Sequence, residues 1–174
     1  MESGAQADAV VTLTAPQDDL VDEFYIPYVR PLGNLVIRFA QAEGALLALV
    51  TEFMAGKEDA AITELKAKDP ARIRGLAENS GVSGFELTEL LETLDSYWVA
   101  QAKRNRLMHD EWWVALDATV GTRGTPHKKG SQVVWGDPDV ADVWGLAAAF
   151  KEHRSVFAAN ARTLRDQRLQ QTNN

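Results

Sequence analysis

The chain has 174 residues, 45% of them hydrophobic and 25% charged, a composition that fits one domain with a substantial core. It contains no cysteine, which excludes disulfides, thiolate metal sites and a cysteine nucleophile. The formal net charge is −7, yet Glu2, Asp8, Asp18, Asp19, Asp22 and Glu23 stand in a 25-residue stretch without Lys or Arg, so the remainder is nearly neutral and has room for basic clusters. The longest uninterrupted apolar run, 45–50, is short of a bilayer span, and the N-terminus lacks the basic flank and apolar run of a signal peptide. A cytoplasmic protein without membrane contact is the expectation.

Residues 1–18 are small, polar and acidic and predict a disordered tail. A helical domain is expected over 19–169, with 170–174 a disordered C-terminus. The stretch 19–28 carries Leu20, Phe24 and Tyr25 on one side, and Pro27 and Pro31 punctuate it, which predicts a short helical turn ahead of a longer helix. That first long helix is predicted from Leu32 to about Met54, where Leu32, Leu35, Val36, Phe39, Ala42, Leu46, Leu49, Val50 and Phe53 recur at helical spacing. Gly56 is its expected stop, and Gly44 marks a place where a neighbouring helix can come close. Glu43 falls at or beside the apolar face.

A short helix ending before Pro70 follows, then another from Pro70 to about Ala77, closed by Asn79 and Gly81. The next helix is expected from Gly84 to about Asp110, with the stripe Leu87, Leu90, Leu91, Leu94, Trp98 and Leu107. Alternation then replaces helical spacing. The segments 112–120 and 132–135 read as a β-hairpin around a basic, Gly-rich tip at 121–130. Asp137 and Pro138 open a last helix that reaches about Arg168 through Val140, Val143, Trp144, Leu146, Ala147, Phe150, Phe157, Ala161 and Leu164. The expected fold is all-α: an antiparallel helical bundle of four main helices, with a small β-hairpin inserted between the last two long ones.

Few residues carry the signs of chemistry. No paired-histidine metal motif, phosphate loop, dinucleotide fingerprint or nucleophile elbow is present, so neither a metal nor a cofactor is expected. His153 stands between Glu152 and Arg154 and reads as a surface histidine. His127 lies in the hairpin tip beside Lys128 and Lys129. His109 differs in its company, Lys103-Arg104-Asn105-Arg106-Leu107-Met108-His109. An imidazole exchanges protons near neutral pH, and an arginine stabilises charge developing on a phosphate. These are two parts of a metal-free site for RNA cleavage, in which the 2′-hydroxyl is the nucleophile and histidine the general acid or base.

The run Arg104-Asn105-Arg106-Leu107-Met108-His109 resembles the R-x4-6-H motif of the HEPN family, in the form with a polar residue after the arginine. The helix-end position and the glutamate-bearing first helix are also similar. The resemblance implies a homodimer with two motifs facing across the interface, and a metal-independent ribonuclease acting as a toxin or in phage defence. By position, Arg104 binds the scissile phosphate, His109 handles protons and Asn105 orients the site, with Glu43 in support. Arg106, Lys103, Arg123, Lys128 and Lys129 are the expected RNA-binding cations, and a cognate antitoxin is an expected partner. Two features depart from the pattern: Asp110 and Glu111 follow the histidine, and the hairpin between the last two helices is an elaboration that the motif does not explain. Arg104 and His109 also point about 140° apart on a straight helix, so one catalytic unit calls for a fraying helix end or for groups from two subunits. The competing reading is a non-catalytic helical interaction module in which Arg104 neutralises Glu43. A small-ligand-binding bundle, prompted by the five tryptophans, is a third.

Overall fold

The computed structural model describes the backbone of residues 15–109, 111–114, 121–126, 133–136 and 140–173, and the side chains of 26, 28–108 and 140–173. The expected 1–18 tail falls mostly outside these residues. The body is all-α. The five helices among the described residues are α1 (Ala15–Phe53), α2 (Glu58–Lys66), α3 (Pro70–Glu78), α4 (Gly84–His109) and α5 (Val140–Thr172).

α1 begins earlier than its prolines predict and runs through both Pro27 and Pro31. Each proline removes a backbone donor and crowds the carbonyl four residues back, so the expected break was sound as local chemistry. Packing overrides it: Pro31 is buried and the core stripe follows within one turn. The residues 28–53 of this helix are long and apolar enough, by length and composition alone, to cross a bilayer. In the bundle the same stretch supplies Leu35, Phe39, Ala42, Leu46, Leu49 and Val50 to the core. Val36, expected in that stripe, is exposed instead, and Gly44 has no neighbour against it, so no helix uses it for close approach.

The end of α1 follows the glycine logic. Gly56 has φ +82° and its N–H donates to the Thr51 carbonyl at 2.8 Å, the reach-back of a left-handed helix stop. A side chain at Gly56 would also meet the Arg168 guanidinium at 3.0 Å. At α3, Asp69 accepts a hydrogen bond from the Arg72 N–H at 3.2 Å, and Pro70 occupies the first turn, where its missing donor is harmless.

Direction is where the fold departs most from expectation. Phe39 packs edge-on against Phe150 with ring centroids 5.1 Å apart, and further along Glu52 meets Arg165 and Arg168. Contacts that advance together on both helices mean that α1 and α5 run parallel, side by side. α4 returns antiparallel to them: Tyr97 lies between Phe150 and Phe157, while Arg104, two turns later, is back at Phe39. The bundle is therefore not antiparallel throughout. Stripe spacing fixes which face of a helix is buried but carries no information on which neighbour covers it.

Between α4 and α5 the backbone forms three short strands, β1 (Glu111–Val114), β2 (Gly121–Pro126) and β3 (Val133–Gly136), paired antiparallel in that order. The expected hairpin is thus a three-stranded meander, and β2 occupies part of the segment read as its tip. Gly121 and Gly124 disguise that strand, because glycine depresses strand propensity.

Candidate functional site

The motif arginine projects from the last two turns of α4 onto α1. The Arg104 Cζ lies 4.4 Å from the Phe39 ring centroid, a cation–π placement worth about 1–2 kcal/mol at a partly buried site. Arg104 Nη1 donates to Asn105 Oδ1 at 3.1 Å. Its Nε is buried and has no acceptor. The guanidinium is thus held by a ring and by its sequence neighbour, with part of its donor set unspent.

Two further groups share this neighbourhood. Glu43 follows Phe39 by one turn of α1; its partial burial raises the carboxyl above the ordinary range, while Arg104 and Lys68 pull it back. Tyr97 precedes Arg104 by two turns of α4 and is almost fully buried. Burial holds its phenol well above the ordinary value, with Glu43 adding to the shift and Arg104 opposing it. Arg104 thus acts on the Glu43 carboxyl through its field, against the desolvation that raises it. Of the two aromatic residues in the arginine's setting, Phe39 carried only the signal of a core residue in the sequence and Tyr97 was not singled out.

Asn105 and Arg106 are exposed, as is Lys103 before Arg104. His109 is the last residue of α4, and the helix keeps its form up to that point. A continuous helix sets Arg104 and His109 about 7.5 Å apart along the axis and 140° apart around it. The helix therefore does not fray before His109. The side chains of His109, Arg123, Lys128 and Lys129 lie outside the described residues. Among the described residues no cluster of three His, Asp or Glu side chains is placed to hold a metal.

No family model, curated protein or solved structure matches the chain. The HEPN resemblance therefore rests on the motif and its setting alone.

His153 corrects a sequence expectation. It is not a surface histidine but 4% exposed, with its Nε2 3.0 Å from Ser96 Oγ and its ring against Tyr97, Phe150 and Phe157. Burial lowers its pKa, and Glu152 only partly opposes this. Its charged sequence neighbours concealed the burial. Spacing offered the clue, because Phe150, His153 and Phe157 recur at three and four residues. Glu52 was likewise unremarked in the sequence, and its side chain is 2% exposed beneath Arg165 at 3.1 Å and Arg168 at 2.9 Å. Burial pulls its carboxyl upward, but the hydrogen bonds from the two arginines prevail and leave it lowered.

Proposed function

We propose that this chain is a HEPN-like, metal-independent endoribonuclease that works as a cytoplasmic homodimer, in the manner of a toxin or phage-defence component restrained by a cognate antitoxin. The observation that carries the reading is the Arg104 guanidinium fixed on Phe39, linked to Asn105 and left with an unused buried donor. A cation held in place in this way needs little rearrangement to stabilise charge on a phosphate.

In the proposed reaction the RNA 2′-oxygen attacks the adjacent phosphorus and the bond to the 5′-oxygen breaks. His109 takes the proton from the 2′-hydroxyl or delivers one to the departing 5′-oxygen. Arg104 stabilises the charge on the non-bridging oxygens, and Asn105 holds the arginine's orientation. The products are a 2′,3′-cyclic phosphate end and a 5′-hydroxyl end. The expected result is RNA cleavage that persists in chelator, yields these ends, and disappears in His109→Ala with the helical content and oligomeric state intact. Cleavage by His109→Ala at the wild-type rate would refute it.

A second reading, a non-catalytic dimerisation module, is favoured by a different observation. Arg104 already has an aromatic face and the field of Glu43, and α1 exposes Ile26, Val29, Val36 and Ile37. Under it the protein self-associates but cleaves no RNA, and Arg104→Ala changes stability alone.

A further inference from the structure

The seam between the parallel helices α1 and α5 is open on the side away from α4. A cavity of about 510 Å³ lies along it, floored by Ala45, Ala48, Ala158 and Ala161 and edged by Arg154, Arg162 and Arg165. Small side chains let the floor sink between two helix backbones, and the arginines on α5 then stand above it as a rim. Arg38 extends the rim from α1: it and Arg154 both donate to Gln41 Oε1, at 3.3 and 3.5 Å. Arg168 closes the far end.

The charge of this seam opposes that of the whole chain. Arg154, Arg162 and Arg165 line the cavity, with Arg38 and Arg168 beside it; Glu52 is spent on Arg165 and Arg168, and Asp166 stands one turn after Arg162 on α5. Each arginine is anchored through part of its donor set. Arg162 Nε donates to the Ala158 carbonyl at 3.1 Å, Arg165 Nε to Glu52, and Arg154 Nη1 to Gln41. A guanidinium has five N–H donors, so one anchoring bond restricts the side chain and leaves the rest for oxygen acceptors. From Arg154 to Arg168 the helix rises about 21 Å, the length of about six phosphates on a stacked strand. A row of fixed forks at that length suits a repeating anion better than one small ligand.

We infer that the α1–α5 seam is a binding groove for the phosphate backbone of single-stranded RNA, separate from the Arg104 motif. The polyanion follows from the charge of the groove; the choice of RNA rests on the ribonuclease reading. Arg154 and Arg162 are the residues to change, because neither pairs with Glu52 and their loss leaves that buried carboxylate satisfied.

The test measures binding of a fluorescent twelve-nucleotide 2′-O-methyl RNA, which offers no 2′-hydroxyl to the proposed chemistry, to the full chain across a salt series, for wild type and the double variant Arg154→Gln/Arg162→Gln. The double variant should bind at least tenfold more weakly, and its salt slope should fall by about 1.4, two phosphate contacts at ~0.7 each. Unchanged affinity and slope in the double variant overturn the inference, as does an absence of RNA binding by wild type at low salt. Capture of a poly-glutamate peptide in preference to RNA also overturns it, because the groove is then a protein-docking surface. Loss of cleavage in His109→Ala bears on the ribonuclease reading and leaves the groove result independent.

Discussion

The guanidinium of Arg104 and the ring of Phe39 lie 4.4 Å apart, so the motif arginine of α4 is seated on the core stripe of α1. The same ring meets Phe150 edge-on at 5.1 Å, which ties the position of the arginine to the contact between α1 and α5. Phe39→Leu keeps most of the apolar volume and removes both ring interactions. It should lower stability by about 1–3 kcal/mol in urea unfolding. If Arg104 acts on phosphate, RNA cleavage per folded molecule should also drop, because the cation loses its seat. A stability loss with undiminished cleavage would detach the ring from the site.

Glu43 gives a prediction whose sign runs against intuition. Its carboxyl is raised in the folded protein, so folding favours its neutral form, and its effect on stability worsens as pH rises through the ordinary carboxylate range. Glu43→Gln should therefore be no less stable than wild type at pH 7, and slightly more so. Urea midpoints of the two proteins at pH 4 and pH 7 check this, with the gap in favour of the variant growing toward pH 7. A clear loss of stability at pH 7 would mean that Arg104 needs Glu43 as a true ion-pair partner.

His153 has the opposite pH signature. Its pKa is lowered on folding, so between that folded value and about 6.5 the unfolded chain binds the proton more readily. Stability should be unaffected by this residue above about pH 7 and should decline as pH falls below about 6.5. His153→Gln should flatten the decline between pH 6.5 and 5, a window above the lowered titration of Glu52. An equally steep decline in the variant would place its origin elsewhere.

Gly56 should tolerate a side chain poorly. Its φ of +82° disfavours an L residue by about 1–2 kcal/mol, and the Arg168 guanidinium, 3.0 Å from where a methyl group would stand, must shift to admit it. Gly56→Ala should lower the melting temperature by several degrees, whereas Gly44→Ala, with open space around it and an ordinary helical backbone, should raise it slightly.

Much of the helical layout could be read from local pattern. Pro70 after Asp69 starts α3, Gly56 stops α1, and the Leu90–Leu94–Leu107 stripe marks the core side of α4. What escaped depends on distant parts of the chain. Pro27 and Pro31 argue locally for a break, and only packing against the bundle explains an uninterrupted α1. The parallel course of α1 and α5 depends on which helices meet, which no stripe encodes. At the site, Arg104 and Asn105 stood out through their motif, whereas Phe39, Tyr97 and His153 became visible as its surroundings only when three helices were brought together. The rim arginines Arg154, Arg162 and Arg165 resembled an ordinary solvated face until the alanine floor beneath them was seen.

The most direct test of the central claim is single-turnover cleavage of a defined RNA, in chelator, by Arg104→Ala, by His109→Ala and by the two variants mixed. Because α4 remains helical through His109, five residues after Arg104, each variant alone should lose at least 100-fold in rate, and mixed dimers should recover part of it by pairing an intact arginine from one subunit with an intact histidine from the other. Wild-type rates in either single variant would contradict the account and leave a helical scaffold without this chemistry.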